Sequence, residues 1–578
     1  MIGRASLQGL RKRWDIMPAA PFQQLYALPH LSPLMVQVLF NRGLREPGDV
    51  DAFLYAIDEL EADPFLLPDM DRAVARLQRA LERDEQVAVY GDFDVDGVTG
   101  TALLVQSLSH YGNRIVPYIP HRSREGYGLN IPALEHLRNE GVTLVVSVDC
   151  GITSVDEVRH AASLGMDVII TDHHATPGIL PPAIAVINPH RSDSSYPFPE
   201  LCGAGVAYKL AEAVNLTMES GDFDVEEYID LAALGTIADM VPLVGENRHL
   251  SRRGLDQLNS SPRLGLRELM RAARLTPGMI DSDAVSFSIA PRLNSAGRMD
   301  HAMVSYRLLT TDSLAEAQEI AAILEAQNVN RQRLTQQGLD EAREKAMAQV
   351  ERYPLIMIGS PAFKPGVIGL VASRLSEEFF RPAVVVEMGE MESRGSARSI
   401  PHFDIHRALS QCSDLLTRFG GHPMAAGFSV PNRNLTALHE RLVEIAQASI
   451  GVEVLEPFLN IDAQVRLTEL DWKVMEFIQS MAPFGKGNPS PTFLTEGIRV
   501  LECRKTGNDH LRLKLHDGRL TWPAVAFRMG NNLEDIRPDS RLDIVYHLSV
   551  DSWDGNKKLQ LEIEDMRPHQ VLGRGSLS

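Results

Sequence analysis

The chain has 578 residues, of which 44% are hydrophobic and 23% are charged, a composition typical of a globular protein with several hydrophobic cores. No apolar run reaches the length of about 18 residues that a membrane-spanning helix needs, and the first residues lack the apolar core of an export signal, so we expect neither membrane insertion nor export. The formal net charge of −19 disfavours a polyanionic partner at first sight, but affinity for nucleic acid depends on local basic surface.

The four cysteines lie far apart and show no paired metal-ligand spacing: Cys150, Cys202, Cys412 and Cys503. They fit a reducing compartment, and we therefore expect a cytoplasmic protein. Two windows are locally basic: residues 248–298 hold nine Lys/Arg against four Asp/Glu, and residues 499–528 hold seven against three. Each window is consistent either with a nucleic-acid contact or with an ordinary solvated face.

Strand and helix patterns alternate from residue 86 onward. The predicted strands cover 86–90, 143–149, 167–171 and 184–188, and the predicted helices cover 99–111 and 154–164. Strands that alternate with helices of this length predict βαβ units and a parallel sheet. A mainly helical stretch follows and ends near residue 243.

The second half of the chain has three further patterns. Residues 313–352 predict one long polar helix, which is typical of a spacer between domains. A second α/β segment covers 355–451, in which Gly420 is typical of a helix end. After residue 456, short alternating segments predict a small antiparallel barrel of the OB type, with one helix near 471–481.

The fold class predicted from these patterns is α/β, with a parallel-sheet domain, a long connecting helix, a second α/β domain and a C-terminal OB-type barrel. The predicted boundaries are 1–45 for an N-terminal segment, 46–310 for the parallel-sheet domain, 311–353 for the helix, 354–452 for the second α/β domain, 453–570 for the barrel and 571–578 for a tail.

Acidic and imidazole side chains follow three of the predicted strands. The first strand leads into Gly-Asp-Phe-Asp-Val-Asp-Gly, the second ends at Asp149, and the third ends at Asp172-His173-His174. The carboxyl ends of parallel strands meet at one edge of the sheet, where ligands bind. So many carboxylates cannot remain ionised together unless cations neutralise them. Oxygen ligands with one or two imidazoles favour Mn²⁺ or Mg²⁺.

Two other known sites share part of this pattern. The Asp-x-Asp-x-Asp-Gly run is similar to an EF-hand calcium loop, but such a loop needs a glutamate at position twelve, where this chain has Leu103. Phosphatases with an aspartyl nucleophile also place Asp-x-Asp after a strand, and Asp94 would be that nucleophile here. Such a phosphatase does not require Asp-His-His two strands later. The three motifs together therefore favour a metal site.

The motifs GDFDVDG, VDCG, TDHH and GTIADMVPL, in this order, resemble the four motifs of the DHH phosphoesterase superfamily. FKPGVIGLVASRL, GSARSI and GGHPMAAGF resemble the DHH-associated domain, and PFGKGNPSPTF followed by a barrel is similar to the end of bacterial exonucleases of this superfamily. The resemblance covers about residues 40 to 570. It implies a monomeric enzyme that degrades single-stranded DNA from 5′ to 3′ by two-metal hydrolysis, in recombination and repair.

The resemblance also implies a role for each acidic or imidazole side chain of the motifs. Asp94 would bind one ion with Asp92; Asp96, His173 and Asp239 would bind the other; Asp149 would bridge both; and His174 would support the site or the phosphate. One departure concerns the first ion, because many members have a histidine where this chain has Tyr90. Without it, this ion would rely on the aspartates and water.

Candidate substrate contacts lie outside the metal motifs. Ser396, Arg398, Ser399 and His422 in the second α/β domain are predicted to grip a phosphate. Arg122, Arg124 and Arg298 are candidates for the 5′-terminal phosphate, with solvated loop charge as the alternative. In the barrel, the basic residues are Arg504, Lys505, Arg512 and Lys514, and the aromatic residues, which could equally be core, are Trp522, Phe527 and Trp553.

Single-stranded DNA is thus the expected partner, and the resemblance adds a single-strand-binding protein and recombination or mismatch-repair proteins. Two other functions share the metal motifs or the fold. One is a phosphodiesterase for cyclic dinucleotides or short RNA, which needs neither barrel nor long helix. The other is a non-catalytic single-strand-binding scaffold, which would have lost acidic ligands that are present here.

Overall fold

The computed structural model describes residues 12–122, 124–218, 223–451, 456–507, 509–530, 536–551 and 556–569. The predicted tail and Trp553 lie outside these residues. The chain forms two compact units. The parallel-sheet unit comprises residues 51–331 and 481–489, and the second unit comprises the remaining described residues. The domain boundaries given above stay a prediction.

The parallel-sheet unit has, within its described residues, a sheet of five parallel strands. In spatial order these are Ile115–Tyr118, Gln86–Gly91, Val142–Val148, Asp167–Thr171 and Ala185–Ile187. The strands are apolar on both faces because helices cover both. Val87 and Val89 pack into one hydrophobic core, and the alternating Ala88 and Tyr90 pack into the core of the opposite face.

The helices of this unit surround the sheet and extend beyond it. They are Met70–Glu82, Val95–Ser109, Ile131–Asn139, Val155–Ser163, Gly203–Met218, Ile229–Ala238, Gly245–Ser260, Leu264–Ala272, Ala290–Met299 and Met303–Thr310. The predicted α/β class with a parallel sheet is confirmed. The sequence patterns missed the strand Ile115–Tyr118, which has only four residues and contains a proline, and the helix Ile131–Asn139, a short segment of mixed polarity.

The connecting helix Leu314–Val350 has 37 residues, close to the predicted 313–352. Three shorter helices lie near the N-terminus: Phe22–Ala27, Pro33–Asn41 and Pro47–Leu54. The strand Arg13–Ile16 pairs in parallel with Phe458–Ile461. Lys12 forms an ion pair with Glu564.

The second α/β domain contains a mixed sheet of five strands in the described chain, in the order Arg418–His422, Ala425–Pro431, Glu392–Arg398, Ala383–Glu387 and Ile356–Ser360. Its helices are Pro365–Phe379, Ile405–Ser410 and Leu435–Ser449. The interpretation of Gly420 as a helix end is wrong, since it lies inside the strand Arg418–His422. Consecutive glycines are typical of both structures, and only the pairing with Ala425–Pro431 distinguishes them.

The C-terminal strands close into the predicted barrel. Over the residues described, five strands follow one another in the order Phe493–Thr506, His510–His516, Thr521–Ala526, Lys558–Pro568 and Arg541–Asp551, and the last pairs back with the first. The helix Trp472–Ser480 precedes the barrel, and the short strand Ala463–Gln464 pairs in parallel with the start of its first strand. The predicted OB-type domain is confirmed.

Candidate metal centre

Three predicted metal ligands lie at the carboxyl ends of neighbouring parallel strands. Asp92, Asp149 and His173 each follow a strand by one or two residues, and the three strands are adjacent in the sheet. Asp94 and Asp96 lie on the turn and first helical residues that follow Asp92. This is the edge at which an open parallel sheet binds ligands.

The side chains approach closely enough to share cations. His173 Nε2 lies 3.1 Å from Asp149 Oδ1, 3.7 Å from Asp239 Oδ2 and 3.8 Å from Asp96 Oδ2. Three sets of ligand atoms lie within 4.8 Å of one another: Asp92 with Asp94 and Asp149, Asp96 with His173 and Asp239, and Asp149 with His173 and His174. Asp149 belongs to two of these sets, at the position predicted for a bridging ligand.

Asp96 is held by the start of the helix Gly203–Met218. The amides of Gly203 and Ala204 donate to its two carboxylate oxygens, at 2.7 and 2.8 Å. The positive end of a helix stabilises a carboxylate at this position. A Cβ on Gly203 would meet Asp149 Cβ at 2.5 Å, and one on Gly235 would meet Asp96 Oδ1 at 2.6 Å. Glycine at these two positions therefore lets the helices approach the acids.

Asp239 arrives from another part of the unit, directly after the helix Ile229–Ala238, of which it is the C-cap. A carboxylate is unfavourable at a helix C-terminus because the partial charge there is also negative. The following residue, Met240, has a left-handed backbone with φ of 60° and is exposed. The fold thus places a negative charge where only a nearby cation compensates it.

Asp172 positions both histidines. Its Oδ1 accepts hydrogen bonds from the amides of His173 and His174, and its Oδ2 accepts one from the amide of Ile152. The ring Nδ1 of His174 lies 2.7 Å from Asp172 Oδ1. The Tyr127 hydroxyl donates to the carbonyl of Asp149 and lies 3.3 Å from the same ring nitrogen. His174 is therefore oriented by its neighbours.

Without metal ions, the clustered carboxylates bind protons more tightly than ordinary aspartates do. Burial and the neighbouring Asp94 carboxylate raise the pKa of Asp96 to about 6, and burial with Asp96 and Asp94 raises the pKa of Asp239 to about 8. Burial and the surrounding acids also raise the pKa values of Asp92 and Asp149 well above the usual range. For His174, the Asp172 carboxylate outweighs burial and raises the pKa to about 9.

Two buried oxygens test whether the residues fit a cation. Asp92 Oδ1 is buried and accepts no hydrogen bond from any residue that the structure describes. Asp149 Oδ1 is buried as well, with His173 Nε2 at 3.1 Å. A buried carboxylate oxygen without a donor is costly unless a cation satisfies it. With two imidazoles beside them, these oxygen ligands fit Mn²⁺ or Mg²⁺.

Tyr90 is not part of this cluster. Its side chain is fully buried, its hydroxyl donates to the Gly128 carbonyl and accepts from Asn130, and its ring stacks on Tyr118 at 5.0 Å. Tyr90 therefore packs into the sheet core, and the first ligand set consists of aspartates alone.

The predicted 5′-phosphate arginines lie near the aspartate loop. The Arg122 guanidinium lies 4.7 Å from the centre of the Phe93 ring. Arg298 lies on the helix Ala290–Met299, directly after Gly297, where a Cβ would come within 2.6 Å of the Phe93 carbonyl. Arg124 is exposed in the same loop as Arg122. The stretch around Arg298 is thus a helix packed against the metal-binding loop.

The second unit presents Ser396, Arg398 and His422 on one face of its mixed sheet. Arg398 is directly opposite Ala425, which is directly opposite His422. Directly opposed residues in antiparallel strands point to the same face. Two residues along the same strands, Gly427 is directly opposite Gly420 on one side and Ser396 on the other. Gly420 and Gly427 have no side chains and are exposed, so this part of the face is open to close approach.

Ser399 differs from these three residues. It follows the strand Glu392–Arg398, is buried, and donates its hydroxyl proton to the Phe403 carbonyl at 2.5 Å. Its hydroxyl therefore stabilises the turn that leads to the next helix.

Comparisons with known proteins cover all three folded regions. Residues 86–236 match the DHH family, N-terminal domain, residues 353–448 match the DHHA1 domain, and residues 461–565 match the RecJ OB domain. The chain is 36% identical over 561 residues to the single-stranded-DNA-specific exonuclease RecJ of Bacillus subtilis, across 96% of this chain and 71% of the relative. The chain belongs to the RecJ family. The resemblance inferred from the sequence motifs is confirmed.

Relatives from a thermophile extend the RecJ comparison. The RecJ exonuclease of Thermus thermophilus is 35% identical over 571 residues, across 98% of this chain and 80% of that relative. The crystal structure of Thermus thermophilus RecJ in complex with Mn²⁺ matches with a TM-score of 0.83 at 33% identity, covering 97% of this chain and 80% of that chain.

Several residues that build the RecJ site here were missed by sequence reasoning. Asn294 accepts a hydrogen bond from the Val95 amide, and Gly203 with Ala204 holds Asp96. The run Gly203-Ala204-Gly205 was a usable signal, because small residues at a helix start allow close approach to a neighbour. Asn294 gave no local signal.

The barrel distinguishes the two described aromatic candidates. Trp522 is 7% exposed and belongs to the barrel interior, whereas Phe527 is 49% exposed beside His510.

In the first basic window, Arg248 is fully buried, and Arg263 pairs with Asp230. These two arginines of the window are therefore structural. No helix in the described part of this RecJ-family chain is both long and apolar enough to cross a bilayer.

Proposed function

We propose that this chain hydrolyses the phosphodiester bonds of single-stranded DNA from the 5′ end, with two divalent metal ions. The observation that carries the proposal is the pair of adjacent ligand sets at the carboxyl edge of the parallel sheet, Asp92 with Asp94 and Asp149, and Asp96 with His173 and Asp239, which meet where Asp149 Oδ1 lies 3.1 Å from His173 Nε2. Membership of the RecJ family supports it, since its relatives from Bacillus subtilis and Thermus thermophilus are single-stranded-DNA-specific exonucleases.

The proposed ligands are the residues of two sets. Asp92, Asp94 and Asp149 would hold one Mn²⁺ or Mg²⁺, and Asp96, His173 and Asp239 would hold the other. Asp149 Oδ1 lies 3.1 Å from His173 Nε2 of the second set, which supports a bridging role for Asp149. Bound ions would supply the Lewis acidity that activates water and stabilises charge on the phosphate. The buried Asp92 Oδ1, which accepts no hydrogen bond from a described residue, supports this assignment.

The protein itself would position the substrate and the water. At neutral pH the His174 ring carries a positive charge because Asp172 raises its pKa to about 9. We propose that this imidazolium, held against Asp172, donates to an oxygen of the scissile phosphate. Asp172 would then act as a positioning residue for both histidines.

The arginines beside the aspartate loop would bind the 5′-terminal phosphate and set the polarity. We expect Arg298→Ala to lose the preference for 5′-phosphorylated over 5′-hydroxyl strands while it retains most activity on unphosphorylated ends, because a guanidinium binds phosphate bidentately. The measurement compares release from the two substrates. Arg271→Ala, a surface arginine on another helix, is the matched control. An unchanged end preference in Arg298→Ala would count against this role. We propose the same role for Arg122 and Arg124.

The open face of the second unit would hold the DNA backbone. We expect Arg398→Ala to raise KM about tenfold, because a charge-assisted hydrogen bond of roughly 1.5 to 3 kcal/mol is lost. Arg398→Lys should restore only part of this affinity, since an ammonium cannot bind bidentately. The measurement is the KM for single strands, with Arg407→Ala on a neighbouring helix as the control. Equal KM values for Arg398→Ala and its control would contradict the proposal, which includes Ser396 and His422.

The barrel would bind single strands as well. The exposed ring of Phe527 and the basic residues of the strands around it support this role. We further propose a cytoplasmic monomer that works in recombination and repair with a single-strand-binding protein and recombination or mismatch-repair proteins. The four free cysteines support the compartment.

The experiment that tests the function is digestion of 5′-labelled single strands in Mn²⁺, beside duplex DNA, RNA and a cyclic dinucleotide. The proposal expects mononucleotide release from the 5′ end of single-stranded DNA and much slower turnover of the others. Preferred cleavage of the cyclic dinucleotide would favour a small-molecule phosphodiesterase. Binding of single strands without cleavage would favour a scaffold.

A further inference from the structure

A loop from the C-terminal half of the sequence is part of the parallel-sheet unit. Residues 481–489 belong to this unit, although the residues on either side belong to the other. Three hydrogen bonds fix the loop: the Leu243 amide donates to the Lys486 carbonyl at 2.8 Å, Arg248 to Met481, and Ser282 to Phe484. The loop thus lies against the segment that follows the proposed metal ligand Asp239.

The loop is rigid by its own construction. The side chain of Asn488 is fully buried and donates to the carbonyls of Met481 and Pro483 at 2.8 and 2.9 Å. Gly485 and Asn488 form an antiparallel bridge. The backbone between them is consequently fixed before any substrate binds, and only Lys486 carries a long side chain there.

Two glycines let the loop approach the metal centre. A Cβ on Gly485 would come within 2.8 Å of Leu243 Cδ1. Gly487 has a φ of 77°, and a Cβ there would come within 3.0 Å of Pro242 Cβ. Larger residues would push the loop off residues 242–244. The glycines therefore place Lys486 close to the backbone that carries Asp239.

The Lys486 side chain has no structural task of its own. It is exposed, and its ammonium forms no ion pair with any residue in the described ranges. Its backbone carbonyl makes the contact that fixes the loop. The Leu243 amide that binds this carbonyl lies four residues after Asp239, so the lysine stands beside the segment that carries that carboxylate.

We propose that Lys486 is a substrate-binding residue of the catalytic centre, whose ammonium contacts the phosphodiester backbone of the DNA on the Asp239 side of the metal ligands. A cation on a fixed loop beside a cluster of acids attracts a polyanion to that cluster. Its flexible stem lets the charge follow the phosphate through successive rounds of hydrolysis. This inference rests on the proposed nuclease function.

The test measures kcat/KM for 5′-labelled single strands in Mn²⁺ over a range of salt concentrations. We expect Lys486→Gln to lower kcat/KM about tenfold at low salt, because one charge-assisted hydrogen bond is lost. The slope of log kcat/KM against log salt should become shallower by about 0.7, the value for one phosphate contact on a single strand. Lys486→Arg should retain most of the activity and the slope.

Lys473→Gln is the matched control, since Lys473 is an exposed lysine on the helix just before the loop. Thermal unfolding of each variant is measured as well. A Lys486→Gln variant with the kcat/KM and salt slope of its control would overturn the proposal. So would a loss that Lys486→Arg does not rescue and that follows a lowered Tm. A wild-type chain that fails to digest single strands would instead refute the proposed function, and this inference with it.

Discussion

The Asp149→Ala variant is expected to lose nuclease activity by at least about 10³-fold while it retains binding to single-stranded DNA. Asp149 belongs to the first proposed ligand set, and its Oδ1 lies 3.1 Å from His173 Nε2 of the second, so its removal should leave both ions under-coordinated. The remaining acids then repel one another without compensation. Binding persists because the proposed phosphate contacts lie on other side chains. The measurement is single-turnover cleavage in Mn²⁺, together with a binding titration on the same strand.

Two further variants make this prediction specific. Asp149 has a φ of 60°, which asparagine adopts more readily than alanine. Asp149→Asn should therefore lose activity with little loss of stability. Asp156→Ala, an exposed aspartate on the next helix, should remain active. Cleavage by Asp149→Ala at the wild-type rate in Mn²⁺ would show that Asp149 does not bridge the ions.

Metal removal is expected to abolish activity and to make stability strongly dependent on pH. Burial and neighbouring acids raise the pKa of Asp96 to about 6 and that of Asp239 to about 8, from an ordinary value of 3.8. Both groups therefore bind protons more tightly in the folded chain than in the unfolded chain. The free energy of unfolding of the metal-free protein should fall as the pH rises from about 4 through about 8.

Mn²⁺ should reverse this trend, because it binds the deprotonated carboxylates and only the folded chain assembles them. We expect Mn²⁺ to raise Tm more at about pH 9 than at about pH 5, where protons compete with the ions. Thermal unfolding with EDTA and with Mn²⁺ at both pH values measures this difference. In the Asp96→Asn, Asp239→Asn double variant, the pH dependence without metal should flatten. An equal gain in Tm at both pH values would contradict the account of the cluster.

The metal motifs were predictable because their position depends on a simple rule. Strand patterns located the ends of three strands, and parallel pairing brings such ends to one edge. Asp92, Asp149 and His173 could therefore be placed together without coordinates. Asp239 could not be placed in this way, because it lies after a helix and only the family resemblance linked it to the others.

The supporting contacts were beyond sequence reasoning because they join segments far apart in the chain. Asn294 accepts a hydrogen bond from the Val95 amide, which is 199 residues away along the chain. Asp96 accepts one from the Gly203 amide, which is 107 residues away. Local propensity also misplaced Gly420, since strand pairing overrides a helix-end signal. Trp522 and Phe527 could be separated only by their burial in the closed barrel.

Anomalous scattering from crystals grown with Mn²⁺ tests the central claim most directly. The account predicts two manganese peaks in the parallel-sheet unit, one against Asp92, Asp94 and Asp149 and the other against Asp96, His173 and Asp239. An absence of peaks at these side chains in an active, Mn²⁺-saturated protein, or peaks bound only elsewhere, would contradict it.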